Sequence, residues 1–471
     1  MHRYYSQLIF IVTFWIATSL GCVASQAEDV VQDALPVPAK QPHFNKASFL
    51  PNELDRDVPL HPDSEKRQLL ALNPRAKVEE ASDLNVWRAK SNQVDELLQR
   101  WFSETGPGAA VMVIKDHEAV YQKGHGLASL TGERPPITPK TQFQLASMTK
   151  QFTAMGIAIL CEEGQLSLDD SIVKFFPELS TREVKVRNLL QHTAGFQEYD
   201  DLFVQLGILG SLDSRSSSGP RSPFEPQIAD VVSVLKSQKL AYFPPGNEYH
   251  YSNTGYILAA AVIEGVSKKP LGTFLEDKIF SKLGMTNTFV NDAAHTLTSN
   301  VAHSYSFDGV GTKTDMDYTP LNKIYGHVGI YTNLEDLFKW EQALYKSEQQ
   351  KNPKHILVSD AMLDQIFSSG TLNDGRTTTG YGLGWVIDSN GSVWHNGEWA
   401  GYRSIIVRYP NESYTVVVLS NLATTDSSAV FRSIDKIYYP PQDVKLPRPT
   451  RQRNSDERLR VRSVISAANN R

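Results

Sequence analysis

The sequence predicts an α/β fold: a mixed, mainly antiparallel sheet flanked by helices and assembled from distant parts of one chain. Three observations predict it. Strand-like hairpin patterns occur near residue 110 and return after residue 380. Apolar helical patterns fill the interval between them. The composition, 41% hydrophobic and 21% charged over 471 residues, supplies a large core.

Residues 1–27 read as an export signal. Arg3 gives the positive charge, Leu8 to Ala17 the apolar stretch, and Ser25-Gln26-Ala27 before Glu28 a cleavage site. Ser19-Leu20-Gly21-Cys22 half-resembles a lipoprotein site, and the lack of charge between Arg3 and Glu28 also fits an uncleaved membrane anchor. The expectation is an exported protein, periplasmic or extracellular, with membrane association through the N-terminus as a variant of it. Residues 28–92 are rich in charge and proline (Pro36, Pro38, Pro42, Pro51, Pro59, Pro62, Pro74) and read as an extended tether.

A globular domain is expected over 93–440. It opens with the amphipathic segment Val94 to Phe102. A hairpin follows, Ala110 to Lys115 and Glu118 to Gln122 around Asp116-His117. Val111 to Ile114 is apolar on both faces, which places it inside a covered sheet. Ser147 to Glu163 is an apolar helical run that stops at Gly164, and Thr254 to Val266 is another. Residues 210–227, rich in Ser, Gly and Pro, read as a surface loop. Strands are expected at Tyr381 to Asp388, Ser392 to His395, Tyr402 to Tyr409 and Tyr414 to Leu419. A last helix, Ser427 to Tyr438, ends before Pro440-Pro441. The basic tail, 441–471, reads as disordered.

A formal net charge of -5 argues against a nucleic-acid binder. The two cysteines are Cys22, inside the export segment, and Cys161, on an apolar run, so no internal disulfide of the domain is expected. Histidines are scattered without metal-ligand spacing. There is no Gly-x-Ser-x-Gly elbow, His-Glu-x-x-His motif or phosphate loop, and no cofactor is implied.

Chemistry is carried by three short motifs in order: Ser147-Met148-Thr149-Lys150, Tyr251-Ser252-Asn253 and His395-Asn396-Gly397. Each alone is weak. Ser-x-x-Lys recurs at Ser233 and Ser433, Tyr-x-Asn at Tyr331 and Tyr409, and His-x-Gly at His327. Context separates them. Ser147 and Lys150 open a long buried helix, where residues three apart share a face and free N–H groups favour a developing anion. A serine hydroxyl needs a base, and a lysine serves only if burial lowers its pKa from about 10.4. Tyr251 would share the proton transfer and Asn253 would orient Lys150 and substrate. The bland alternatives are a helix cap for Ser147 and for Asn253, a wall tyrosine for Tyr251 and a half-buried strand histidine for His395. The strand holding His395 could supply a second oxyanion donor, the N–H of Glu398, beside that of Ser147.

At these residues the chain resembles the serine β-lactamase-like superfamily, which includes the penicillin-binding proteins, and within it the class C β-lactamase branch. The resemblance runs from about Val94 to Tyr439. It also includes Leu189 to Gly195, Phe243-Pro244-Pro245-Gly246 and Leu283-Gly284-Met285-Thr286. It implies a sheet domain plus an all-helical domain with the active site between them. It also implies Ser147 as the acylated residue, Lys150 and Tyr251 as proton carriers, and Asn253 as the orienting residue. His192 to Gly195 reads as a turn that shapes the cleft. His395 takes the place of the lysine in the family's Lys-Thr-Gly, and Asn396 that of its threonine, both substrate contacts; neutral imidazole is a poorer partner for a carboxylate than a fixed cation. Glu398 stands where Gly or Ser is usual. Pointed inward, its carboxylate ~6 Å from an oxyanion would cost about 3 kcal/mol at an effective dielectric of ~20.

The expected function is a serine hydrolase of amides or esters working through an acyl-enzyme on Ser147. D-amino-acid peptides or cell-wall fragments rank first as substrates, carboxylic esters second and β-lactams third. The competing expectation is a non-catalytic module that binds or senses peptidoglycan.

Overall fold

The computed structural model describes residues 84–179, 183–209, 225–237, 241–292, 300–307, 313–350, 356–378 and 380–439. The chain divides into two units. The first, Met1–Asp55, lies wholly outside the described residues, all of which belong to the second, Arg56–Arg471. The export signal, the tether up to residue 83, the loop 210–224 and the basic tail also lie outside them.

Residues 84–89 are helical and run into helix α1 (Ser91–Trp101). The end of the stretch read as extended tether is therefore folded. The reason is aromatic: Trp87 stacks on Tyr438 at 4.8 Å and meets Tyr414 and Tyr439 edge-on.

The hairpin forms as expected, with strand β1 (Ala109–Lys115) and strand β2 (Glu118–His125). Asp116 and His117 both take positive φ, 51° and 66°, the two-residue turn whose twist matches the strands. Three short strands follow along the chain, β3 (Phe143–Gln144), β4 (Phe289–Val290) and β5 (Tyr305–Phe307). Next come β6 (Lys313–Asp315), β7 (Ile330–Thr332) and β8 (Val386–Ile387). The chain closes with β9 (Val393–Trp399), β10 (Tyr402–Tyr409) and β11 (Tyr414–Ser420).

The main sheet has the order β2-β1-β11-β10-β9-β8, so strands from both ends of the domain meet at its centre. Every pairing of these strands is antiparallel, with Val111 opposite Val418 and Ile405 opposite Val418 on the other side. Among the described residues, parallel pairing is confined to isolated bridges such as Gln142↔Val301.

One expected strand is cut short. Of Tyr381 to Asp388, only Val386–Ile387 is strand. Gly384 turns the chain at φ +81°, where a Cβ would sit 2.8 Å from the Lys150 carbonyl oxygen. The segment is shaped to pass the helix that carries the first motif.

That helix, α2 (Thr149–Glu162), is buried on all sides from Thr149 to Leu160. Further along the chain come α3 (Tyr199–Gln205) and α4 (Asn253–Ser267). Helix α4 packs against α2, Val186–Leu190 and Ile228–Ser237 pack on α4, and α3 lies against Ile228–Ser237. This helical region shares one continuous apolar core with the sheet: Phe152, Ile157 and Leu258 belong to the same cluster as Met112, Ile406 and Val417. Later come α5 (Leu334–Ala343) and the closing helix α6, Ser427–Tyr438 as expected, capped by Asp426 on the Ala429 N–H. No helix among the described residues is long and apolar enough to cross a membrane.

Candidate active site

Ser147 sits not in the α-helix but in a 3-10 turn, Ala146–Met148, immediately ahead of α2. The turn is strained, with Ala146 at φ +51°. It is pinned from two strands. The Leu145 N–H donates to the Ile330 carbonyl at 2.8 Å, and Ser404 Oγ on β10 donates to the Leu145 carbonyl at 2.7 Å.

Lys150, in the first turn of α2, is fully buried. Its Nζ lies 3.0 Å from Ser147 Oγ, 2.9 Å from Asn253 Oδ1 and 3.2 Å from the His327 carbonyl oxygen. Burial lowers its pKa from 10.5 to about 7, while the Glu198 carboxylate pulls it back up. A neutral amine has two hydrogens and one lone pair. Asn253 Oδ1 and the His327 carbonyl can only accept, so they take the hydrogens and leave the lone pair facing the Ser147 hydroxyl.

Tyr251 completes the group. Its buried hydroxyl is turned toward Ser147, whose side chain eases the cost of ionising it, and its ring lies 4.9 Å from Lys150 Nζ. Burial pushes its pKa well up, so the group stays a protonated phenol.

Helix α4 begins at Asn253 rather than Thr254, and its cap is Ser252, whose Oγ accepts the Gly255 N–H at 3.3 Å. Asn253 is therefore not the cap, and its side-chain carbonyl is on Lys150.

The third motif lies on β9. His395 is buried with both ring nitrogens engaged: Nδ1 donates to the Asn396 carbonyl at 2.5 Å and Nε2 accepts from Tyr381 Oη at 2.9 Å. Burial, helped by Lys150, lowers its pKa to about 3, so it carries no charge at neutral pH. Asn396 is half-buried, and Gly397 faces the Ser147 turn. Glu398 is exposed, with its carboxylate 3.7 Å from Arg403 Nε on β10. Strand β8 pairs with β9 only at Val393 and Trp394, so from His395 onward no named strand covers that edge. The structure thus brings Ser147, Lys150, Tyr251 and Asn253 into direct contact, with the His395–Gly397 strand beside them.

Several supporting residues were not assigned to the site from sequence. Glu198 is buried and its Oε2 accepts the Asn253 N–H at 2.9 Å. Tyr381 donates to His395 Nε2 once the Asn396 carbonyl, which can only accept, has fixed the proton on Nδ1. His327, noticed only as a stray His-x-Gly match, serves through its carbonyl. His192, read as part of a turn, has φ +59° and accepts the Ser252 N–H on Nδ1 at 3.0 Å, with its ring 4.3 Å from that of Tyr251. Its signal was the Leu189 to Gly195 stretch.

Elsewhere, His303, Asp315 and Asp317 bring metal-ligand atoms within 4.8 Å of one another. The Asp317 carboxylate already accepts from His303 Nδ1 at 2.6 Å and from the Ser304 N–H at 2.7 Å. Cys161 is half-buried, and burial raises its thiol to about 11, as suits a packing residue rather than a nucleophile.

Comparison with known proteins gives consistent relatives. Residues 93–436 match the family model described as Beta-lactamase. Penicillin-binding protein 4* of Bacillus subtilis (strain 168) is 30% identical over 353 residues, 71% of this chain and 73% of its own length. A putative D-alanyl-D-alanine carboxypeptidase of Escherichia coli (strain K12) is 25% identical over 389 residues, 73% of this chain and 84% of its own. Among solved structures, the octameric penicillin-binding protein homologue from Pyrococcus abyssi superimposes with a TM-score of 0.62 at 26% identity, covering 74% of this chain and 77% of that one.

Proposed function

Since the chain belongs to the β-lactamase family, a family of serine hydrolases, we propose that it cleaves amide or ester bonds through an acyl-enzyme on Ser147, with D-amino-acid peptides or cell-wall fragments as its first substrate class. One observation carries the reading: the lone pair of a buried, pKa-lowered Lys150 faces the Ser147 hydroxyl at 3.0 Å.

In this mechanism Lys150 Nζ takes the Ser147 proton as Oγ bonds to the substrate carbonyl carbon. The oxyanion settles on the N–H groups of Ser147 and Glu398. Tyr251 gives its proton to the departing nitrogen or oxygen, the bond to carbon breaks, and the Lys150 ammonium reprotonates Tyr251. Water repeats the sequence on the acyl-enzyme, releasing the acid and restoring Ser147.

The neutral, doubly bonded His395 offers no fixed charge to a substrate carboxylate. That supports esters as the second substrate class and weighs against β-lactams, the third. The contact between Ser147 and Lys150 weighs against a module that only binds. Export through the N-terminal segment, and kinship to the class C branch, belong to the same proposal.

The test is intact-mass spectrometry of the full chain with a p-nitrophenyl ester, a D-alanyl-D-alanine peptide, a D-amino-acid anilide and a chromogenic cephalosporin, beside Ser147→Ala. An adduct on the wild type that vanishes in the variant is expected. No adduct and no turnover with any of the four would overturn the proposal.

A further inference from the structure

Glu198 is a buried carboxylate with no part in those proton transfers. It sits at the start of α3, where the backbone is extended, with φ -70° and ψ 132°. Its surroundings are locked to the start of α4 by three hydrogen bonds. The Tyr199 N–H donates to Thr254 Oγ1 at 2.9 Å, Thr254 Oγ1 donates to the Gln197 carbonyl at 2.9 Å, and the Asn253 N–H donates to Glu198 Oε2 at 2.9 Å. Asn253 then reaches Lys150 through its side chain. Three consecutive residues are thus fixed so that a negative charge stands one residue removed from the lysine amine.

We propose that Glu198 is the built-in counter-charge of Lys150: a positioning residue that holds Asn253 in place and stabilises the ammonium formed when Lys150 takes the serine proton. The inference rests on the Ser147–Lys150 reading and deepens it.

The other groups around Lys150 make a counter-charge necessary. Tyr251 and Tyr256, from the start of α4, lie with ring centroids 4.9 and 5.6 Å from Nζ, and burial keeps both as neutral phenols. His192 at the cleft turn, His327 ahead of β7 and His395 on β9 are all held neutral by burial, and the Lys150 charge pushes each further down. Among the described residues, Glu198 is the acid whose charge acts on Lys150. A buried ammonium without a counter-charge is costly, so proton transfer from Ser147 would otherwise be opposed at each turnover.

The competing explanation is purely structural. A carboxylate near the start of α4 also satisfies a free N–H and suits the helix dipole. The two accounts separate in Glu198→Gln, because the glutamine carbonyl still accepts the Asn253 N–H while the charge is gone.

The experiment is a titration of the Lys150 ε-carbon by NMR in the full chain, labelled with 13C-lysine and assigned by the signal lost in Lys150→Arg. The wild-type midpoint is expected at about 7. Glu198→Gln should lower the proton affinity of Lys150 by about tenfold, and the acidic limb of kcat/KM for a p-nitrophenyl ester should move to lower pH with it. An unchanged midpoint in a folded Glu198→Gln protein overturns the proposal. If that variant does not fold, Glu198→Asp, which keeps the charge but withdraws it by one methylene, should still lower the midpoint, and no change there overturns it equally. Turnover that survives in Ser147→Ala while the midpoint still responds to Glu198 would sink the serine mechanism and leave the charge pairing standing.

Discussion

Gly397 lies so close to Leu145 that a Cβ built on it would stand 2.3 Å from the Leu145 carbonyl oxygen and 2.4 Å from Ser404 Oγ. The first belongs to the residue that leads into the turn presenting Ser147, and the second, on β10, pins that residue by donating to the same carbonyl. The glycine of the third motif therefore lets the β9 edge approach the nucleophile closely enough to frame an oxyanion site. Gly397→Ala should push strand and turn apart. Loss of kcat/KM by about a hundredfold is expected, with destabilisation of about 1–3 kcal/mol. Steady-state kinetics and thermal melts check both.

Ser147→Ala should abolish covalent adducts and lower turnover by about 10^4-fold or more, since a nucleophile has no substitute. Lys150→Met should do nearly the same, because its partners Asn253 and the His327 carbonyl hold no second base. Similar losses in the two single variants and in the double variant would show that they act as a unit.

Tyr251→Phe should expose its part in protonating the leaving group. For amide substrates a fall in kcat of about 10^2–10^4 is expected. For p-nitrophenyl esters, whose leaving group departs as a stable anion, the fall should be far smaller. Equal losses on both substrates would argue instead that Tyr251 only shapes the pocket.

The wild-type activity should rise with pH through about 7, as Lys150 loses its proton. A profile rising only near pH 10 would mean that the lysine is not buried in this way.

The same group links stability to pH. Its pKa is lowered to about 7 in the folded chain, against 10.5 as the ordinary value. Between those values the unfolded chain holds the proton and the folded chain does not, so this group's contribution to stability rises with pH, by at most about 1.4 kcal/mol per unit. Below about 7 it is level. Lys150→Met should therefore gain over the wild type as pH falls from 10.5 to 7, then keep a constant lead. Chemical denaturation of both proteins at several pH values tests the sign.

Much of this was legible in the sequence, and the reasons are physical. Continuous apolar runs gave β1, the two apolar helices and Tyr402–Tyr409, which are buried on nearly all sides, and helical periodicity gave Ser427–Tyr438, which buries one stripe. Where backbone geometry overrides periodicity, the reading strayed. Gly384 breaks the expected strand so that it starts only at Val386, and Ser252 takes the cap that was the bland alternative for Asn253. Motif order found Ser147, Lys150, Tyr251 and Asn253, because these residues need fixed short spacings. Glu198, Tyr381 and the His327 carbonyl escaped, because each meets the site through tertiary contacts that leave no local pattern.

The central position of β1 and β11 has a consequence for how the molecule comes into being. Ser420 Oγ donates to the Gly108 carbonyl across 312 positions of sequence, and β11 is also the partner of β10. While a ribosome is still adding the last strands, β1 has its hairpin mate and nothing on its other side. The apolar run Val111 to Ile114 then presents an open edge for as long as synthesis takes. Maturation thus waits on the final strand, which closes that edge when it arrives.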